Sequence, residues 1–178
     1  RTLFPYTTLF RSFAVQIARL MGGEVTGASS TRNLDLVRGL GAARVIDYTT
    51  EDFTRDATRW DLIVDNVGNR PLGEVLRVLA PQGRYVMVGA PSDEPWLGPV
   101  WRVIAMALRQ PFVAQRLESF VAEDRQADLE TLAGWLADGR LRAVIDRRFP
   151  LAAVPEAIAY LELGRARGKV VIEIGPPG

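Results

Sequence analysis

DLIVDNV, at residues 61–67, is the stretch of sequence that decides the fold. Its centre is continuously apolar, and a polar pair follows at its carboxyl end. A strand with one solvated face would alternate apolar and polar residues, whereas a continuous apolar run is typical of a strand buried on both faces. We therefore predict a parallel strand inside a sheet that helices cover on both sides.

Similar strands lie on either side of this one in the chain, and helical segments separate them. Further strands are predicted at residues 24–28 (EVTGA), 44–48 (RVIDY), 84–88 (RYVMV), 142–149 (RAVIDRRF) and 169–174 (KVVIEI). Helices are predicted at residues 13–21, 32–40, 71–79, 128–138 and 154–163, and residues 95–123 form a long apolar stretch with a helical pattern. This alternation implies right-handed βαβ units. The predicted fold class is α/β, with a doubly wound, mostly parallel sheet that is incomplete at its N-terminus.

Composition excludes several classes of function. The 178 residues carry 22 basic and 21 acidic side chains, which gives no electrostatic basis for binding nucleic acid or a membrane surface. Cys and His are both absent, which excludes a disulfide framework, a thiolate nucleophile and a Cys/His metal site within these residues. No apolar run reaches the roughly 18 residues of a membrane span. We expect a cytoplasmic protein.

The first candidate binding residues follow the strand at 24–28. Ser30 and Arg32 stand where a dinucleotide-binding fold meets the adenosine ribose, and an acidic residue there would bind the 2′-hydroxyl. That acid is missing, and a hydroxyl and a guanidinium are the groups that phosphate recognition needs. The pattern favours NADPH over NADH. The alternative is that Ser30 (or Thr31) only caps the next helix and that Arg32 is a solvated charge.

Three more strand ends carry candidate residues. Tyr48 ends the next strand, where it either lines the adenosine pocket or packs in the core. Asn66 offers both a donor and an acceptor, and Gly68 lets a ligand approach the backbone, although a simple strand-ending turn explains both. Gly89 closes the strand at 84–88 in the same way. Because the carboxyl ends of parallel strands meet at one edge, these residues together predict one ligand site.

Four motifs carry a resemblance to a known family: FAVQIARLMGGEVTGASSTRN (13–33), RVIDYTTEDF (44–53), DLIVDNVGN (61–69) and FPLAAVPEAIAYLELGRARGKVVIEI (149–174). Together they resemble the medium-chain dehydrogenase/reductase superfamily, and within it the quinone-oxidoreductase-like branch. The resemblance implies a Rossmann domain that follows a GroES-like catalytic domain. It also implies hydride transfer from a nicotinamide cofactor and a homodimer in the full-length protein.

The resemblance assigns seven residues to the cofactor: Ser30, Arg32, Tyr48, Asn66, Val67, Gly89 and Lys169. The first three would surround the 2′-phosphate of NADPH, and the next three would line the ribose and the nicotinamide. Lys169 matches the family's basic residue near the cofactor, and its alternative role is that of a solvent-facing strand residue. No residue of the chain matches a general acid or a nucleophile, so no catalytic residue is assigned.

Residues 2–12 (TLFPYTTLFRS) interrupt the resemblance. They resemble the translation of a short oligonucleotide used as a sequencing adapter, and they replace the strand and the glycine-rich loop that should hold the pyrophosphate. We therefore expect residues 1–12 to be non-native and residues 13–178 to form the Rossmann-type domain, with the GroES-like domain missing and the chain inactive. The alternative is a genuine N-terminus with the composition of an edge strand. The apolar residues 3–9 also permit a strand in the vacant central position of the sheet.

Three functions remain open at this point. The leading hypothesis is an NADPH-dependent reductase that passes hydride to a quinone, an enone or a related carbonyl compound. The second is an S-adenosylmethionine-dependent methyltransferase, because DLIVDNVG also resembles the strand after its cofactor site; the strand end at residues 29–32 lacks the acid that would bind a ribose diol. The third is a non-catalytic nucleotide-binding module. Zinc ligands, if any, would belong to the missing domain, and the quinone-reductase-like branch is usually zinc-free.

Overall fold

The computed structural model describes residues 2–5, 8–88, 97–119, 123, 125–164 and 166–175. Its strands are β1 (Thr2–Pro5), β2 (Val25–Ser29), β3 (Arg44–Asp47), β4 (Trp60–Asp65), β5 (Leu79–Met87), β6 (Arg116–Ser119), β7 (Ile145–Pro150) and β8 (Lys169–Glu173). Its α-helices are α1 (Thr8–Leu20), α2 (Leu34–Gly39), α3 (Leu72–Val78), α4 (Leu97–Arg109), α5 (Gln126–Ala137) and α6 (Val154–Glu162).

The first six strands form one parallel sheet in the order β3-β2-β1-β4-β5-β6. The chain builds one half of the sheet outward from β1 to β3, and then returns to the centre with β4. A doubly wound sheet with this order binds ligands where the direction of winding reverses, which is between β1 and β4. The predicted α/β fold class is confirmed.

The stretch that opened the sequence analysis forms β4, next to the centre of the sheet. Trp60 and Ile63 on β4 and Tyr85 on the neighbouring β5 are almost fully buried in the main core. The strand ends at Asp65, two residues earlier than predicted. It ends there because the Asp65 carboxylate accepts hydrogen bonds from the amides of Val67 and Gly68, which turns the chain away from the sheet.

The boundary between α3 and β5 differs from the prediction. We expected a helix to residue 79 and a strand from residue 84, but the helix ends at Val78 and the strand already begins at Leu79. The register with β4 shifts between Trp60 and Leu62, so the segment around Pro81 bulges out of the ladder. Gly83 allows this close approach, because a methyl group there would lie 2.9 Å from the carbonyl oxygen of Trp60.

The helical pattern predicted throughout residues 95–123 is only partly correct. α4 is followed by a single turn at Gln110–Phe112 and then by β6, which pairs with residues 84–87 of β5. The Gln110 side chain holds the connection, since it donates to the carbonyl of Gln115 and accepts from the amide of Leu117. β6 reads RLES, so three of its four residues are polar, as suits a short edge strand. It therefore lacks the apolar run that revealed the buried strands.

The first residues of the chain take part in the fold. Residues 2–5 form the central strand β1, in register with residues 25–28 of β2. A strand thus occupies the central position, but it does not extend to residue 9 as expected, because Thr8 and Leu9 already belong to α1. α1 begins at Thr8, five residues before the predicted start of the helix. That residues 1–12 are non-native stays a prediction.

A second, two-stranded parallel sheet follows the first, and it consists of β7 and β8 joined by α6. Its elements agree with the strands and the helix predicted near residues 142–174. The Gln16 side chain joins α1 to the segment that leads into β7: it donates to the carbonyl of Arg142 (3.0 Å) and accepts from the amide of the same residue (2.9 Å). None of the helices in the described ranges combines the length and the apolar character that crossing a bilayer requires.

Candidate functional site

The ends of β2 and β3 bring three predicted residues to one edge of the sheet. Ser30 directly follows β2, Arg32 lies in the single helical turn Thr31–Asn33, and Tyr48 directly follows β3. The amide of Tyr48 donates to the carbonyl of Ser29 (3.1 Å), which joins the two strand ends. Arg32 is exposed, and no side chain in the described part of the chain forms an ion pair or a hydrogen bond with its guanidinium. Its charge is therefore available to a ligand.

Ser30 occupies the N-cap position of the turn Thr31–Asn33, but its side chain forms no capping hydrogen bond there. The hydroxyl of Ser30 accepts a hydrogen bond from the Asn33 side chain (3.3 Å). The hydroxyl of Thr31 instead donates to the carboxylate of Asp47 at the end of β3 (2.6 Å). The side chains that could have capped the turn are thus committed to fixing the shape of the strand ends.

Asp47 is a component that the sequence analysis did not single out. Its other carboxylate oxygen accepts from the hydroxyl (2.6 Å) and the amide (3.0 Å) of Thr49. The hydrogen bonds from Thr31 and Thr49 lower the pKa of Asp47 below its usual value, so this carboxylate is charged at neutral pH. No acidic residue follows β2, but β3 brings one, Asp47, to the same edge of the sheet. Its carboxylate oxygens already accept hydrogen bonds from the hydroxyls of Thr31 and Thr49.

Asn66, just beyond β4, has an unusual environment. Both polar atoms of its side chain, Oδ1 and Nδ2, are buried and have no hydrogen-bond partner. A buried polar group without a partner costs free energy, and such groups are rare in folded proteins. The amide stands at the carboxyl edge of the sheet next to the winding reversal, where a ligand could satisfy it. Its neighbour Val67 is half-buried and packs against the main core.

A buried polar cluster is built around Asp65, the residue that precedes Asn66. The hydroxyl of Tyr85 donates to Oδ2 of Asp65 (2.9 Å), and Nη2 of Arg102 on α4 donates to the same hydroxyl (2.9 Å). The guanidinium of Arg102 also forms an ion pair with Asp65 (3.8 Å) and donates to the carbonyl of Gly68. Burial, and after it the charge of Asp65, raises the pKa of Tyr85 well above its usual value, so this hydroxyl stays protonated and keeps its donor role.

Lys169 lies on the small sheet, away from the strand ends that carry the other described candidates. Lys169 is the first residue of β8, and its Nζ lies 5.6 Å from the ring centre of Phe13 on α1, a cation–π contact. Its contact is thus with the first half of the helix that follows β1. Gly89 lies outside the described residues. The connection between β1 and α1 reads PYTT at residues 5–8, and the first glycine of the sequence is Gly22.

Similarity to known proteins identifies the family of this chain. Residues 40–172 match the family model described as zinc-binding dehydrogenase.

The chain belongs to the zinc-binding dehydrogenase family.

Its relatives within the medium-chain dehydrogenase/reductase superfamily are oxidoreductases. A trans-enoyl reductase of Aspergillus terreus is 34% identical over 184 residues, covering 92% of this chain and 48% of the relative. A 2-methylene-furan-3-one reductase of Solanum lycopersicum is 33% identical, covering 90% of this chain and 37% of the relative. The structure of the quinone oxidoreductase from Coxiella burnetii matches with a TM-score of 0.78 and 28% identity, over 98% of this chain and 52% of that one. The chain thus spans between about a third and a half of the length of these relatives.

The resemblance inferred from the sequence motifs is therefore confirmed at the level of the family. This is a family of NAD(P)-dependent oxidoreductases, so the methyltransferase alternative loses its support. Although the family is named for zinc, the residues of this chain do not fit a zinc site. Cys and His are absent from the sequence, and in the part of the chain that the structure describes no three candidate metal ligands lie together.

The sequence analysis missed the roles of Asp47, Tyr85 and Arg102, which hold the strand ends in place. Arg102 lies within the apolar stretch predicted at residues 95–123, and it was not selected as a candidate. One signal was present: a lone arginine inside the apolar run of residues 100–108 is expensive to bury unless it has a partner. The identity of that partner depends on the fold and not on local sequence.

Proposed function

We propose that the chain is the cofactor-binding part of an NADPH-dependent reductase whose substrate is a quinone, an enone or a related carbonyl compound. The observation that carries the proposal is the buried, unpaired amide of Asn66 at the winding reversal of the sheet. A carboxamide of this kind complements groups that both donate and accept hydrogen bonds, such as those of the nicotinamide and its ribose. Relatives whose names refer to enoyl and enone-type substrates support the same substrate class.

The two ends of the site have different tasks in this proposal. Ser30 and Arg32 would hold the 2′-phosphate at the ends of β2 and β3, with Tyr48 beside them. Asn66, Val67 and Gly89 would hold the ribose and the nicotinamide, and Lys169 would add positive charge near α1. The chemistry that a reduced nicotinamide supplies when bound is hydride transfer from C4. This chain's residues contribute binding and orientation, and we assign none of them a proton-transfer step.

The exposed guanidinium of Arg32 supports NADPH over NADH. A charge-assisted hydrogen bond to phosphate is stronger than a neutral one, and the 2′-phosphate is the group that distinguishes the two cofactors. Asp47 does not oppose this assignment by binding a ribose diol, since its oxygens already accept from Thr31 and Thr49.

The test uses adenosine 2′-monophosphate, which carries the 2′-phosphate but does not need a pyrophosphate loop. We expect the 178-residue chain to bind it about tenfold more tightly than adenosine in an NMR titration. Arg32→Ala should abolish this difference. Arg38→Ala is the matched control, because Arg38 is also exposed but pairs with Asp35 on α2. Equal affinity of the parent chain for the two probes would refute the preference for NADPH.

We also propose that the full-length protein is a homodimer and, as a prediction that stands on the sequence alone, that it is cytoplasmic. β6 is the outermost strand of the large sheet, so one of its edges has no partner strand among the described residues. The neighbouring α4 exposes Trp101, which is 66% accessible, and Leu108, which is 64% accessible. An open strand edge beside exposed apolar side chains is suited to pairing with a second copy.

A further inference from the structure

The buried cluster of Asp65, Tyr85 and Arg102 is more polar than stability requires. Asp65 is 2% exposed, the side chain of Arg102 is 15% exposed, and Tyr85 is fully buried. Removing paired charges from water costs much of what their attraction returns, and apolar residues of similar volume often serve stability as well. In addition, Nε of Arg102 is buried without a hydrogen-bond partner. The cluster is therefore better explained by the backbone conformation that it holds in place than by a gain in stability.

That geometry is the turn at residues 65–68. On one side, Oδ1 of Asp65 accepts from the amides of Val67 (3.0 Å) and Gly68 (2.8 Å). On the other side, Nη1 of Arg102 donates to the carbonyl of Gly68. Gly68 itself has a φ of +66°, a conformation that glycine adopts without strain. Asn66 lies within this doubly held turn, so its backbone cannot move without breaking one of these bonds.

We propose that Arg102 is a positioning residue that fixes the Asn66 amide for the nicotinamide end of the cofactor and thereby couples α4 to that end of the site. The inference rests on the proposed function. Arg102 reaches Asn66 only through Gly68, Tyr85 and Asp65, so it acts on the ligand through another residue. Its planar guanidinium suits this task, because it donates to the Gly68 carbonyl and the Tyr85 hydroxyl at the same time.

The test separates the two ends of the site with two probes and one conservative substitution. Reduced nicotinamide mononucleotide probes the nicotinamide end, and adenosine 2′-monophosphate probes the other end, both by NMR titration of the 178-residue chain. Arg102→Lys keeps the charge but loses the fork. It leaves the Asp65 carboxylate with three donors, the Tyr85 hydroxyl and the two amides of the turn, so we expect the variant to fold.

We expect Arg102→Lys to weaken binding of the nicotinamide probe about tenfold and to change binding of the adenosine probe less than about twofold. Arg109→Lys, an exposed arginine on the same helix, is the matched control and should change neither. Asn66→Ala should weaken the nicotinamide probe as well. Because Arg102 acts through Asn66, Arg102→Lys should have no further effect in the Asn66→Ala background.

Additive effects of the two substitutions would overturn the inference, and so would equal weakening of both probes by Arg102→Lys. If Arg102→Lys does not fold, Tyr85→Phe takes its place in the same cycle, since it removes only the hydroxyl that links Arg102 to Asp65. The proposed function fails separately: a parent chain that does not bind the nicotinamide probe, or binds it equally well after Asn66→Ala, refutes the role of Asn66 and with it the inference. An effect of Asn66→Ala without any effect of Arg102→Lys refutes the inference alone.

Discussion

Gln16→Met should loosen the attachment of the small sheet to α1. Gln16 is 7% exposed, and its amide forms two hydrogen bonds with the backbone of Arg142, at 3.0 and 2.9 Å. Each is worth about 1 kcal/mol net, so their loss raises the free energy of the docked state by up to about 2 kcal/mol. Because Arg142 is exposed, water replaces part of what is lost, and about 1 kcal/mol is the lower bound.

Hydrogen–deuterium exchange measures this change where it acts. Methionine has nearly the length of glutamine and no hydrogen-bonding amide, so the substitution removes the bonds without leaving a large cavity. A loss of about 1–2 kcal/mol corresponds to roughly five- to thirtyfold faster exchange. We expect this acceleration in β7 and β8, because the amide of Lys169 donates to the carbonyl of Val144, two residues beyond Arg142. Exchange in β4 should not change.

Gln126→Met is the matched control. Gln126 lies at the exposed start of α5, and within the described part of the chain its side chain bonds to Glu130 alone, four residues further along the same helix. The control should leave exchange in both sheets unchanged. Unchanged exchange of β7 and β8 in Gln16→Met would refute the reasoning, because it would mean that the two bonds do not hold the small sheet. A uniform acceleration across both sheets would refute it too, since that indicates general destabilisation.

Two further predictions concern stability. Gly168→Ala places a methyl group against the backbone carbonyl of Val144, and we expect urea unfolding to show a loss of about 2 kcal/mol or more. Gly134→Ala, on α5, should instead stabilise by about 0.5–1 kcal/mol, because apart from the local helix backbone no described atom lies within 4 Å of the new methyl group. A reversed sign for either variant contradicts the geometry. Asp47→Asn tests the carboxylate that accepts from the threonine hydroxyls. Because folding lowers the pKa of Asp47, its ionised form stabilises the fold above the unfolded pKa of 3.8, and this stability is lost as the pH falls through the folded pKa. The difference in the free energy of unfolding between parent and variant should therefore shrink on acidification below about pH 4. If the difference in the free energy of unfolding between parent and variant is the same from pH 7 to pH 2.5, the ionised Asp47 contributes no such stability.

The parts of the fold that could be predicted are those with a local apolar signal. β4 was visible because both of its faces are buried, and α6 because Pro155 stands in its first turn before an apolar helical pattern. β6 was not visible, because an edge strand of four residues with two charged side chains does not differ from a helix end in local sequence. Its place is decided by pairing with β5, which is a tertiary contact.

The candidate site shows the same division between local and distant information. Asn66 could be selected as a candidate because it directly follows a buried strand, which the sequence shows; its role in binding stays a prediction. Asp47 and Arg102 could not, because their partners are distant in sequence: Thr31 is 16 residues from Asp47, and Gly68 is 34 residues from Arg102. Long-range hydrogen bonds of this kind have no periodicity, so only the folded chain reveals them.

The central strand of the sheet has a consequence for how such domains are recognised. β1 is held in register by main-chain pairing with β2 on one side and β4 on the other, and main-chain groups do not distinguish one extended segment from another. Shape comparison therefore detects an intact nucleotide-binding architecture whatever sequence occupies that position. Phosphate binding is stricter, since it depends on small residues in the next few positions, where this chain has Tyr6, Thr7 and Thr8. A complete parallel sheet therefore does not imply that the domain binds phosphate. Phosphate binding has to be judged from the residues that follow β1.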